Sequence, residues 1–167
     1  ATSRSKIRSR SNVESELGHL SNAAKLACNI LGASGVELLD FPDNRLDSID
    51  LLDLTKIIED RIYHHQPQIV YVHHVGDVNI DHQYLHKAVV TACRPMPNQI
   101  VKTLLSFEVP SSTEWQPAGS APSFHPNWFV DVSDSLFRKR KALEAYSIEM
   151  RPWPHPRSFR AVEHLAH

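Results

Sequence analysis

The sequence predicts an α/β sandwich with a largely parallel sheet, on three observations. Segments with the three- and four-residue apolar spacing of helices alternate with short β-branched and aromatic runs along the chain. The connections between those runs are too long for two-residue hairpins. Polar loops follow the runs at Pro42 to Asp47, His73 to Asp81 and Glu108 to Asn127, which is where parallel sheets gather ligands.

Ala1 to Ser11 is polar and basic, carrying Arg4, Lys6, Arg8 and Arg10, and reads as a loop. From Glu14 to Leu31, the residues Leu17, Leu20, Ala24, Ala27, Cys28 and Leu31 mark one face of an amphipathic helix, with Gly32 in the C-cap position. Val36 to Phe41 (VELLDF), closed by Pro42, reads as a buried strand. Ile49, Leu51, Leu52, Leu54, Ile57, Ile58 and Ile62 mark a second helix, with Ser48 as its N-cap. After Pro67 the run QIVYVHH reads as a buried strand. A third helix runs from Asp81 to Cys93, with Asp81 at its dipole-positive start. Ile100 to Phe107 reads as a further strand. Residues 109–127 hold Pro110, Pro117, Pro122 and Pro126 and form a long irregular excursion, of the kind that serves as a functional lid in compact domains. Trp128 to Val132 reads as a short strand and Ser133 to Tyr146 as a basic helix. A last helix follows the proline-rich RPWPHPRS.

A length of 167 residues suits a single domain over 1–167. With 41% hydrophobic and 22% charged residues, the chain is neither a disordered tail nor a membrane protein. A net charge of -1 leaves no basic excess to follow a phosphate backbone, so nucleic acid is not an expected partner. No apolar run reaches the ~18 to 20 residues that span a bilayer, and no secretory signal opens the sequence. A cytoplasmic location is therefore expected. Cys28 and Cys93 alone cannot build a disulfide framework or a Cys-based zinc knuckle, and both fall on apolar helix faces as small buried hydrophobes. The absence of GxGxxG and GxxxxGK[ST] loops demotes dinucleotide and nucleotide triphosphate chemistry.

Histidine is the unusual component, with eleven residues, six of them between His64 and His86. The loop HHVGDVNIDHQYLH lies between a strand and a helix start and offers His73, His74, Asp77, Asn79, Asp81, His82 and His86. Imidazole and carboxylate are natural zinc ligands, and a catalytic zinc needs three such groups plus an open position for water. His82 and His86 are one helical turn apart, yet no Glu follows His82 as it would in HExxH. Spacing alone leaves metal binding open beside capping, packing and solvent-facing roles.

The segments ILGASGVELLDFPDNRLD, QIVYVHHVGDVNIDHQYLHKAVVTACRP, LLSFEVPSSTEW, FHPNWFVDVSD and KALEAYSIEMRPWPHPRS, in this order, resemble the LmbE/PIG-L family of zinc-dependent N-acetylglucosaminyl deacetylases. The branch associated with bacterial surface polysaccharides is the most similar. The resemblance implies a Rossmann-like three-layer sandwich with a single Zn2+ at the carboxyl edge of its sheet. The implied reaction is hydrolysis of the acetamide of an N-acetylated, GlcNAc-like sugar. On this resemblance His82 matches the third zinc ligand. Asp81 beside it orients a loop or ligand, or caps the helix. Asn79 stands where some branches place a histidine near the tetrahedral intermediate; its amide can donate a hydrogen bond to an oxyanion but supplies no proton. Asp43, in FPDNRLD, matches a polar position near the sugar hydroxyls, against an alternative as an Asx turn after Pro42. His155, between two prolines, matches a segment at the rim of the site and is a candidate substrate contact.

The departures from the family pattern set further expectations. No segment corresponds to AHPDDE, which in the family supplies a His and an Asp to the zinc and the Asp that acts as general base. The family's Arg-Glu signature is replaced by Leu20, Ser21 and Asn22. The first strand and a terminal strand with an Ala-Glu-Ala-Phe pattern are expected to be missing, making the domain partial. An unpaired strand edge would then be covered by another protomer or by a rearranged segment, and a homo-oligomer is expected. Zinc would bind weakly or through His73, His74 or His86. The alternative function is a non-catalytic relative that binds a sugar or a partner.

Glu108, Ser111, Ser112 and Glu114 are read as loop capping before substrate contact. Trp115, Trp128 and Trp153 are read as closing a core edge before stacking on sugar. Arg138, Lys139, Arg140 and Lys141 are read as a solvated helix face.

Overall fold

The computed structural model describes residues 10–167, with side chains from Leu17 onward. The expected loop over Ala1 to Ser11 lies mostly outside the described residues, and its last two residues are already helical. The class is α/β with a parallel sheet, consistent with a Rossmann-like fold. The chain forms two compact units: Phe41–Pro126 is one, and the residues up to Asp40 together with Asn127–His167 form the other.

Phe41–Pro126 holds the sheet. Helix α2 (Leu51–His65) is capped by the Asp50 carboxylate, which accepts from Leu52 N at 2.8 Å. The expected cap, Ser48, instead ends a 3-10 turn over Leu46–Ser48, where its hydroxyl donates to Arg45 O. Two residues later Asp50 has the extended backbone that a cap needs. Strand β1 (Ile69–His73) leads through the histidine loop into helix α3 (Ile80–Ala92), and strand β2 (Thr103–Phe107) lies parallel to β1. The register pairs Ile69 with Thr103 and His73 with Phe107, so both strands end at the same level. Helix α2 packs on α3, and α3 on β1. Leu54 and Thr55 of α2, Val72 of β1, and Ala88, Val89 and Ala92 of α3 form the core of this unit. The small residues on α3 let the two helix backbones approach closely.

The second unit pairs helix α1 (Arg10–Leu31) with helix α4 (Leu136–Ala145), and helix α5 (Phe159–Leu165) follows. Ala23, Ala24, Ala27 and Cys28 are buried on α1, whereas Leu17 and Leu31, expected on the same face, are exposed. Gly32, at φ 72, and Ala33 N donating to Cys28 O close the helix as expected. Arg138 to Lys141 face solvent as expected, although Arg140 also pairs with Glu163 at 2.6 Å.

Two strand expectations are corrected. Val36 to Phe41 and Trp128 to Val132 carry no strand hydrogen bonds. Their side chains are exposed, Leu38 at 55% and Phe129 at 81%. A short apolar run confers strand propensity, but a strand exists only where a second backbone completes its hydrogen bonds, and neither segment has one among the described residues. The tryptophans Trp115, Trp128 and Trp153 are likewise at least half exposed and do not close a core edge. Cys28 is buried, while Cys93 is only partly so.

Leu54, 2% exposed between α2 and α3, is the residue whose truncation should cost this unit most. Leu54→Ala should destabilise the protein by about 2–5 kcal/mol, read from the midpoint of urea unfolding.

Candidate functional site

Asp77 is the one charged side chain with no solvent exposure among the described residues. It stands in the turn after β1, where Asp77 N donates to His74 O. Its Oδ1 accepts from the Ser112 hydroxyl and from Asn79 N at 2.8 Å, and its Oδ2 accepts from Thr113 Oγ1 at 2.8 Å. His82 Nδ1 lies 3.1 Å from the same Oδ1, close in distance but oblique, so this contact is chiefly electrostatic. Burial by itself would raise the Asp77 carboxyl. The hydrogen bonds from Ser112, Asn79 N and Thr113, with His82 beside them, outweigh it and hold the group below its ordinary value.

Three elements therefore converge on one carboxylate. The β1 turn supplies Asp77, the first turn of α3 supplies His82, and the segment after β2 supplies Ser112 and Thr113, brought level by the parallel register. With Nδ1 directed to Asp77, the Nε2 of His82 is the nitrogen left for a ligand. His73, the last residue of β1, stacks on His82 with ring centroids 3.9 Å apart and planes inclined by 12°. Burial, and then the neighbouring His82, lower the His73 pKa to about 4 against a smaller opposing pull from Asp77.

The residues singled out from sequence take these places. Asn79 is the N-cap of α3, its Oδ1 accepting from Asp81 N at 2.8 Å. The cap is therefore Asn79 rather than Asp81. The Asp81 carboxylate accepts from Asn44 N at 2.6 Å and from Leu46 N at 2.9 Å, tying the Pro42–Asp47 loop to the start of α3. Asp43 lies in that loop, exposed, its Oδ2 accepting from Asn44 Nδ2 at 3.0 Å. Asp43, Asn79, Asp81 and His82 thus belong to one unit, whereas His155 belongs to the other. There its Nδ1 accepts from Arg157 N at 3.0 Å. Glu114 caps its own loop, accepting from Ser111 N and Ser112 N. Sequence reasoning did not assign Asp77 a role, nor find its partnership with Ser112 and Thr113. Its only signal was an aspartate five positions ahead of His82, in the same loop.

Zinc is the metal that the resemblance implies. Among the described residues no group of three or more His, Cys, Asp or Glu is placed to hold an ion. Ligating lone pairs lie in the imidazole plane, so two stacked rings, such as those of His73 and His82, cannot converge on one ion. His74 Nε2 bonds Pro122 O at 2.9 Å and His86 Nδ1 bonds His73 O at 2.8 Å, which leaves each ring one further nitrogen. The described residues fit one zinc ligand, His82 backed by a buried carboxylate, and do not fit a complete set.

Strand β1, helix α3 and strand β2 form a parallel βαβ unit, with a histidine beside a buried carboxylate beyond the strand ends. The family model described as GlcNAc-PI de-N-acetylase (PIG-L) matches residues 2–93, more than half of the chain. The chain belongs to the PIG-L family, whose members are deacetylases. The match includes α1, α2, β1, the histidine loop and α3, and starts well before the ILGASG segment on which the sequence resemblance opened. The segments quoted after Cys93 lie outside it. No curated protein matches the chain. Among the described residues no helix is long and apolar enough to cross a membrane.

The two shifted groups make stability depend on pH. Between about 6.5 and about 4 the unfolded chain binds a proton that folded His73 refuses, so stability falls as pH drops through that window. Asp77, held below 3.8, adds a further loss at more acidic pH, because the unfolded chain is protonated there first. Urea midpoints of metal-free protein should decline over this range, and His73→Leu should flatten the upper part of the decline.

Proposed function

We propose that the chain carries part of the active site of a zinc-dependent N-deacetylase that removes acetyl from a GlcNAc-like sugar. The observation that carries the reading is the buried Asp77 carboxylate directed at His82 Nδ1, within a chain of the PIG-L family. His82 would hold zinc through Nε2, with the remaining ligands coming from outside the described residues. When bound, zinc polarises the acetamide carbonyl and lowers the pKa of water.

This chain's own residues orient the site. Asp77 sets a negative charge 3.1 Å from His82 Nδ1, and the hydrogen bonds from Ser112, Thr113 and Asn79 N keep that carboxylate ionised. Asn79 uses its Oδ1 to cap α3, which leaves its amide N–H groups as donors toward an oxyanion. Asp81 acts as a positioning residue, because its two oxygens hold the loop that presents Asp43 to sugar hydroxyls. The surroundings proposed for this enzyme are the cytoplasm, in the assembly of a surface polysaccharide, and as a homo-oligomer.

Acetate release from N-acetylglucosamine or its disaccharide, with zinc supplied, tests the reading. His82→Ala should abolish it, and Asp77→Asn should lower zinc affinity or activity by about 10–100-fold. Sugar binding without acetate release at any zinc concentration would overturn the enzyme reading in favour of a non-catalytic relative.

A further inference from the structure

After the 3-10 turn that ends at Trp115, residues 116–124 form an irregular strap, shortly before the sheet-bearing unit ends at Pro126. The tip of the strap is self-supporting. Ser120 N and Ser120 Oγ both donate to Pro117 O, at 3.1 and 2.6 Å, and Gly119 has φ 81, as a type II turn requires at that position. Gln116 Nε2 donates to Ser120 Oγ at 2.8 Å and holds the turn to its own base. Beyond Gln116, the strap's one hydrogen bond to the rest of the unit among the described residues joins His74 Nε2 to Pro122 O, at 2.9 Å. A carbonyl oxygen only accepts, so Nε2 carries the proton and donates.

Two further contacts sit at the same point. The Phe124 ring meets the His74 ring edge-on, with centroids 5.3 Å apart and planes inclined by 74°. Gly76 is buried against the strap, where an added Cβ would run into Pro122 O and come within 2.9 Å of His74 Nε2. Only glycine leaves room for a backbone this close. A hollow of about 260 Å³ lies between the strap and the rest of the unit. Pro117, Ala121 and Phe124 line it from the strap, and Gly76, Glu108 and Thr113 from the rest. That second side is fastened independently of the strap: Thr113 Oγ1 donates to Asp77 Oδ2 at 2.8 Å and accepts from Val109 N at 2.7 Å.

We propose that residues 116–124 are a lid over this hollow, latched by His74 and seated on Gly76, which undocks while the β1–α3–β2 framework stays folded. Contacts gathered at one point hold the lid down, whereas the turn inside it is complete without them. Undocking therefore breaks the latch and little of the lid's own structure. Lids of this kind control what enters the space they cover and how much water it holds. Gly76 directly precedes Asp77, so the seat of the lid and the turn that carries the buried carboxylate share one stretch of backbone. The proposal goes beyond the deacetylase reading and stands apart from it, because it needs neither zinc nor a sugar.

Limited digestion of the full chain with chymotrypsin tests the lid, through the rate of cleavage after Phe124, with fragments identified by mass spectrometry. Where opening and closing outpace cleavage, that rate follows the population of the open form. His74→Phe keeps a ring beside Phe124 but removes the donor, and cleavage should rise about fivefold, the worth of one hydrogen bond. Gly76→Ala should raise it about tenfold or more, because the Pro122 backbone must move. Gly35→Ala, where an added Cβ meets nothing within 4 Å, should leave it unchanged. Cleavage after Tyr71, inside β1, should keep its wild-type rate throughout. An unchanged rate after Phe124 in both latch variants overturns the lid. Wild-type cleavage there as fast as in a synthetic peptide of residues 112–132 also overturns it, since the strap would then not be docked. A matching rise after Tyr71 in both variants does the same, because the strap would then move only when the whole unit unfolds.

Discussion

A carboxylate sealed from water dictates the order of everything around it. Asp77 cannot remain ionised at zero exposure unless donors surround it, and those donors come from parts of the chain far apart in sequence. Ser112 and Thr113 reach it from beyond β2, and Asn79 N and His82 from the start of α3. Satisfying this one group therefore locks the carboxyl ends of both strands to the amino end of a helix. The same lock brings an imidazole within 3.1 Å of the buried carboxylate.

A second carboxylate extends that order. Asp81 sits in the first turn of α3, where the helix dipole favours negative charge, and spends its oxygens on Asn44 and Leu46 backbone N–H groups. The Pro42–Asp47 loop, which includes Asn44 at φ 52, is thereby held to the same helix end. Two aspartates four residues apart thus divide the work: Asp77 orients the histidine and Asp81 orients the loop. Asn79 between them caps the helix that carries both His82 and Asp81. The loop thus holds one imidazole beside a buried carboxylate.

Much of the sheet-bearing unit was legible in the residues. QIVYVHH is β-branched and aromatic between breakers, and it forms β1; DHQYLHKAVVTAC has helical apolar spacing, and it forms α3. His82 stood out because its neighbours lie in a strand-to-helix loop. Asp77 did not, because nothing local distinguishes a buried aspartate from one in a solvated turn. Its burial depends on Ser112 and Thr113, whose proximity follows from the pairing of His73 with Phe107. VELLDF and WFV form no strand for the related reason that an apolar run measures propensity, whereas a strand needs a neighbour.

Helix faces, the cap at Gly32 and the α/β class come from interactions within a few residues, so the order of amino acids carries them directly. Family membership is carried the same way, since a family model reads residues position by position. The partners of Asp77 and the stacking of His73 on His82 are contacts between residues that only the fold brings together. Only the folded backbone decides those, because hydrogen bonds and stacking depend on separations of a few ångströms that no linear spacing encodes.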